Sequence, residues 1–205
     1  MNYLVDMNIS IILAHPDPGS FNHALAATAA DTLRRARHHV AFHDLYQERF
    51  SPVLPGAELP PGAALEADLA RHCQEIANAD GLVIVHPNWW GMPPAILKGW
   101  IDRVLRPEVA YRFVGNDQGE GVPVGLFRAR AAVVFNTSNT PVEREQQVFG
   151  DPLETIWKNC ILNLCGVRRT HRRMFGVVVT STPAQRQAWL AEAQSILDSC
   201  FPAGT

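Results

Sequence analysis

Two adjacent tryptophans, Trp89 and Trp90, stand between Pro87 and the pair Pro93-Pro94 in a stretch that runs from Asp80 to Pro107. Large flat rings in a short, turn-rich segment offer a stacking platform, so the chemistry they suit is recognition of a planar aromatic ligand. Near the amino end, Ser20 is placed to cap an alanine-rich helical run from about His23 to Ala36. A helix start of this kind leaves backbone N–H groups at Phe21, Asn22 and His23 without carbonyl partners, and together with the helix dipole they suit an anion such as phosphate. A third group, Asn136, Thr137, Ser138 and Asn139, gathers amide and hydroxyl functions that can pair with the polar edge of a ring. The glycine patterns G-x-G-x-x-G and G-K-[ST] do not occur, which argues against a dinucleotide loop or a P-loop.

These three groups need a scaffold that brings them together, and the hydrophobic pattern describes one. Short apolar runs at Ile9–Ala14, Gly81–Val85, Ala131–Phe135 and Met174–Thr180 read as strands buried on both faces, and Val40–Leu45 alternates as a further strand. Helical periodicity fills the intervals over Ala64–Asn78, after Pro93-Pro94, over Asp151–Leu164 and over Pro183–Cys200. In the second of these, Ile96, Leu97, Trp100, Ile101, Val104 and Leu105 mark one apolar face, so Trp100 belongs to the core. Residues 46–63 are rich in Pro and Gly and read as a surface excursion, and Glu108–Ala129 as a long loop or a short hairpin. Strand and helix alternate throughout, which predicts an α/β fold: a doubly wound, five-stranded parallel sheet with helices on both faces and residues 1–205 in a single domain, for which the flavodoxin-like order 2-1-3-4-5 is the arrangement to test. In that order the loops after strands one, three and four are neighbours at the carboxyl edge of the sheet, where such folds bind ligands. Phosphate, planar ring and polar ring edge together fit an isoalloxazine better than a nicotinamide or an adenine alone.

Composition narrows the partners. A formal net charge of -2 argues against nucleic acid or an anionic membrane as the main partner. No apolar run approaches the roughly 18 residues of a membrane span, so no membrane insertion is expected. The start, MNYLVDMNIS, lacks a basic leader and a long apolar stretch, which predicts a cytoplasmic location. Cys73, Cys160, Cys165 and Cys200 form no C-x-x-C pair and read as reduced thiols, and no metal site is expected. The basic run Arg168, Arg169, His171, Arg172 and Arg173 reads as solvated surface. Tyr111 reads as a structural residue, with a substrate-side role as its alternative.

Two stretches, AHPDPGSFNHAL over 14–25 and HPNWWGMPPAILKGWIDRVL over 86–105, carry a resemblance to the NAD(P)H quinone oxidoreductase family of flavodoxin-like flavoproteins. The resemblance implies that His15, Ser20, Phe21 and Asn22 hold the flavin phosphates. It places Pro87, Asn88, Trp89, Trp90 and Gly91 along the isoalloxazine. Asn136, Thr137, Ser138 and Asn139 stand where the family uses a Thr-Thr-Gly-Gly loop against the ring. Its Tyr and His beyond that loop correspond in spacing to Glu143 and Phe149, so that pair is not carried over. The implied activity is hydride transfer from NAD(P)H through bound FMN or FAD to a quinone-like acceptor by a homodimer. The alternatives are a flavin-binding electron carrier and a regulatory subunit of a potassium efflux system.

Overall fold

The structure, a computed structural model, describes residues 6–60, 62–114 and 121–203. Strand β1 (Asn8–Leu13) leads into helix α1 (Phe21–Arg35), strand β2 (His39–Asp44), helix α2 (Ala67–Asn78) and strand β3 (Gly81–Pro87). Helix α3 (Ala95–Val104) follows, then strands β4 (Tyr111–Phe113) and β5 (Pro123–Gly125), strand β6 (Ala131–Ser138) and helix α4 (Val142–Gln147). A short α5 (Pro152–Glu154) runs into a π-helical segment over Thr155–Leu162, before strand β7 (Arg169–Gly176) and helix α6 (Pro183–Cys200). The five strands of the main sheet lie in the order β2-β1-β3-β6-β7, all parallel, which is the predicted order 2-1-3-4-5. Strands β4 and β5 form a separate antiparallel hairpin, so Glu108–Ala129 takes the second of its two expected forms, with residues 115–120 outside the described residues.

Alternation along the strands divides the core into two layers. Ile11, Leu13, Val83, Val85, Val133 and Phe135 face α1 and α6, where Leu25, Ala26, Ala29, Leu33 and Leu197 meet them. Ile12, Leu82, Ile84, Ala132 and Val134 face the other way, onto α2, α3 and the π-helical segment through Ile76, Trp100 and Trp157. Trp100 is 1% exposed, as its helical spacing requires. The excursion over 46–63 is clamped to this layer by charge: Arg103 donates to Glu58 at 2.5 and 3.1 Å and to the Ser51 carbonyl at 2.6 Å. Gly99 lets that segment seat, because a Cβ there would stand 2.1 Å from the Pro52 carbonyl oxygen.

Two elements differ from expectation. The fifth strand of the sheet begins at Arg169, five residues before the apolar run, because an edge strand needs no apolar residues on its open side and tolerates charge there. The predicted helix over Asp151–Leu164 is one α turn followed by the wider π winding, which carries Trp157 into the core at 0% exposure.

Candidate functional site

The carboxyl ends of β1, β3 and β6 lie side by side, and the three predicted loops issue from them. The first loop is a rigid turn. The Gly19 N–H donates to Asp17 Oδ1 at 2.8 Å and the Ser20 N–H to the Asp17 carbonyl at 3.0 Å. Ser20 caps α1 as predicted, its Oγ accepting from the His23 N–H at 3.3 Å, so of the three helix-start donors only those of Phe21 and Asn22 stay outside the cap. His15 stands over this turn with Nδ1 engaged by the Asp17 backbone, 6.1 Å from the Trp89 ring. Burial holds its imidazole below the ordinary value, opposed by the Asp17 carbonyl and reinforced by nearby His23.

Phe21 and Asn22 act differently from each other. The Phe21 ring packs edge-on against Phe175 and at a tilt against Trp189 of α6, so its side chain anchors the helix. Asn22 is 3% exposed; its Nδ2 donates to Thr137 Oγ1 at 2.8 Å and ties the first loop to the third, whereas its Oδ1 is buried with no donor among the described residues. A buried acceptor left unpaired is costly, and a ligand hydroxyl or N–H group would satisfy it.

The second loop is a tight hairpin turn. Trp89 and Met92 exchange backbone hydrogen bonds at 3.1 and 3.0 Å across Trp90 (φ 58°) and Gly91 (φ 72°). Positive φ at both central positions is the type I′ turn, which suits Asn-Gly and strains a bulky residue such as Trp. The loop is braced: Asn88 Oδ1 accepts from the Gly91 N–H at 3.0 Å, and Asn88 Nδ2 donates to buried Glu145 on α4 at 2.9 Å. A Cβ on Gly91 would come 2.7 Å from the Pro152 ring. This frame presents Trp89 at 42% and Trp90 at 101% exposure, so the pair does form an open aromatic platform.

The third group corrects the sequence reading. A polar loop is expected over Asn136–Asn139, but β6 continues to Ser138, and Asn136, Thr137 and Ser138 are buried, at 0, 6 and 6%. Asn136 is fully engaged, its Nδ2 directed at His86 Nε2 at 2.8 Å and its Oδ1 accepting from Arg172 at 3.0 Å. Ser138 donates to Glu145 at 3.4 Å and accepts from the Thr140 N–H at 3.0 Å. These side chains support the loops from beneath. Asn139, exposed, accepts from the Val179 N–H at 3.0 Å and braces the chain after β7.

Beneath the site lies a buried network that the sequence did not reveal. His86 Nδ1 lies 2.8 Å from the Pro87 carbonyl, to which it must donate; Nε2 is therefore the acceptor, its one lone pair shared between Trp157 Nε1 and Asn136 Nδ2, each at 2.8 Å. Complete burial holds this imidazole down to about 4, a neutral ring. Arg172 links the network to Glu154 at 2.8 Å and to Asp151. Part of the basic run is therefore interior: the Arg172 side chain is 6% exposed, against the expectation of solvated surface. Tyr111 packs edge-on to Phe113 and against the core beside α3, in line with its structural reading.

A second histidine cluster joins β2 to α2. His43 lies between two carboxylates, Glu48 at 2.9 Å on Nδ1 and Glu75 at 2.5 Å on Nε2, so each nitrogen faces an acceptor and the pair favours the imidazolium form. Burial works against that charge, but the carboxylates outweigh it and the net shift is upward. Glu48, opposed by burial and held by bonds to His43 and His72, falls to about 2. His72 Nδ1 accepts from Trp100 Nε1 at 3.2 Å, which leaves its proton on Nε2, facing Glu48 at 3.2 Å. His43, Glu48 and His72 are close enough to hold a cation, yet that proton occupies the lone pair a metal needs, so the cluster is a proton network.

A sheet of this order with ligand-binding loops at the ends of β1 and β3 defines the flavodoxin-like class. A family profile described as flavodoxin-like fold matches residues 7–197, and the chain belongs to that family. It is 31% identical over 188 residues to an uncharacterized NAD(P)H oxidoreductase of Haemophilus influenzae, an alignment covering 90% of this chain and 91% of that one. It is 32% identical to NAD(P)H dehydrogenase [quinone] 1 of Cavia porcellus, over 76% of this chain and 63% of that protein. Among solved structures, the NAD(P)H:quinone oxidoreductase of Methanothermobacter marburgensis superposes with a TM-score of 0.80 at 26% identity, covering 94% of this chain and 96% of that one. The family resemblance carried by residues 14–25 and 86–105 is thereby borne out. Among the described residues, no helix is long and apolar enough to cross a membrane.

Proposed function

We propose that this protein is a flavin-dependent NAD(P)H oxidoreductase that delivers two electrons as hydride to quinone-like acceptors. One observation carries the reading: a capped helix N-terminus, an exposed tryptophan platform and the unpaired buried acceptor of Asn22 converge where three adjacent strands end. The named relatives support it.

The residues present fit a flavin. Ser20 and the backbone N–H groups of Phe21 and Asn22 would hold its phosphate, with His15 closing the turn. Trp89, Trp90 and the backbone of Pro87 and Gly91 would line the isoalloxazine. When held there, a flavin would supply the hydride-transfer chemistry between NAD(P)H and the acceptor. The chain's own contribution is to fix geometry: the Asn88–Glu145 brace holds the aromatic loop in one conformation, and neutral His86 buttresses the Pro87 carbonyl behind it. Exposed apolar side chains at Trp90, Met92, Val148 and Phe149 support a homodimer that covers them; light scattering would show twice the chain mass.

The deciding experiment is the absorbance spectrum of the purified protein with FMN or FAD, then with anaerobic NADPH and, separately, NADH, then with benzoquinone. Flavin bands that bleach with NADPH and return with benzoquinone are expected. Flavin bound but unbleached by either nicotinamide would overturn the enzyme reading, and no flavin bound at micromolar concentration would overturn the cofactor.

A further inference from the structure

Ser20, His23 and Asp44 form a chain of hydrogen bonds at the start of α1. Ser20 Oγ lies 2.9 Å from His23 Nδ1, and His23 Nε2 lies 3.0 Å from Asp44 Oδ2. Asp44, 9% exposed, is fixed as an acceptor, since its Oδ1 also takes the N–H groups of Tyr46 at 3.1 Å and Gln47 at 3.2 Å. The Nε2 of His23 therefore carries a proton, and the state of Nδ1 decides which way the Ser20 hydroxyl points.

The count of protons and lone pairs is strict. Ser20 Oγ has one hydrogen and two lone pairs, and the His23 backbone N–H takes one lone pair. When the His23 ring is neutral, Nδ1 can only accept, so the Ser20 hydrogen is spent on it and the hydroxyl turns a lone pair outward. When the ring is protonated, Nδ1–H donates to the second lone pair, and the Ser20 O–H is released to donate outward. A phosphate oxygen needs the second arrangement. Building on the flavin reading above, we propose that His23 is a proton-coupled positioning residue: phosphate binding at Ser20 takes up one proton at the His23–Asp44 pair, which turns the serine hydroxyl from acceptor to donor. The other titratable groups around it act in the same sense. His15, from the loop before α1, meets the His23 ring edge-on at 6.3 Å; burial holds its imidazole below the ordinary value and its Nδ1 is already engaged by the Asp17 backbone, so it competes weakly with His23 for the proton.

The test is calorimetry of FAD binding in two buffers of different ionisation enthalpy, with FAD chosen because its diphosphate has no ionisation near neutral pH. Uptake close to one proton per FAD is expected where the free imidazole is neutral, with affinity falling about tenfold per pH unit. Riboflavin, which lacks phosphate, shows neither effect, and His23→Gln abolishes both. FAD binding without proton uptake, or an equal pH slope for riboflavin, overturns the proposal and leaves the flavin reading intact. If no flavin binds, inorganic pyrophosphate is titrated while the His23 ring is followed by nitrogen NMR. Protonation on binding upholds the device and removes the flavin; no response overturns both. Should His23→Gln fail to fold, the wild-type buffer comparison decides alone.

Discussion

His43 and His86 are buried almost equally, at 3 and 0% exposure, yet their titrations are shifted in opposite directions, His43 upward and His86 downward. His86 faces a carbonyl on one nitrogen and two N–H donors that share the other, and none of these partners is a carboxylate. His43 has a carboxylate on each nitrogen. Burial opposes the imidazolium in both, so hydrogen-bond partners and not depth decide the outcome. The neutral ring sits under the candidate site, where its acceptor nitrogen fixes Asn136 and Trp157. The ring between two carboxylates sits on β2, where its contact with Glu75 pins that edge strand to α2.

The comparison breaks most severely at His86. Replacing it by Phe leaves the Trp157 and Asn136 donors and the Pro87 carbonyl unpaired in the core, so a loss of about 3–5 kcal/mol is expected from urea unfolding. Arg172→Met is next: it leaves Asp151, Glu154 and the Asn136 oxygen without their donor. Because Glu154 is partly solvated, the expected loss is about 2 kcal/mol, and removing the neighbouring cation raises the His86 titration seen by NMR.

The pH dependence then separates the two rings by sign. His86 is held below 6.5, at about 4, so its contribution is whole above 6.5 and is lost as pH falls towards 4. His43 is held above 6.5, so its contribution is whole below 6.5 and is lost as pH rises through its folded value. Their sum peaks near 6.5. Each limb has a limiting slope of about 1.4 kcal/mol per pH unit. Glu75→Gln should flatten the alkaline limb alone, and His86→Gln the acid one. Both flattening together, in thermal melts across pH, would show that the networks are not independent. Glu48 adds its own acid limb, as its carboxyl must be protonated between 4.5 and about 2.

The smallest effect is expected outside both networks. Trp90→Asn places a residue suited to positive φ in the type I′ turn and should stabilise the fold by about 1 kcal/mol. It also removes half of the aromatic platform, so flavin binding should weaken severalfold in a fluorescence titration. A gain in stability with unchanged affinity would take Trp90 out of the site.

The layering of the molecule was legible because apolar runs and their spacing report burial directly. The Trp89–Trp90 platform and the Ser20 cap were legible for a related reason, since turns and caps are written in neighbouring residues. His86 was not legible, because its partners come from β6, the π-helical segment and β7, and nothing local marks a histidine that ends a strand. Arg172 was misread because a charge run looks solvated, whereas strand alternation turns one side chain of the run inward. Asn136 was misread for the complementary reason. A polar quartet after an apolar run looks like a loop, but hydrogen bonding to β3 and β7 carried the pleat three residues further and turned its amide into the core.

The wholly exposed indole of Trp90 also makes the molecule its own optical reporter. Of five tryptophans, Trp100 and Trp157 are shut inside at 1 and 0% exposure, whereas Trp90 meets solvent on all sides. Iodide in solution should therefore quench the red edge of the emission and leave the blue edge untouched. Any molecule that settles on the aromatic loop, or any second chain that closes over it, will shield that red component and be seen without a label.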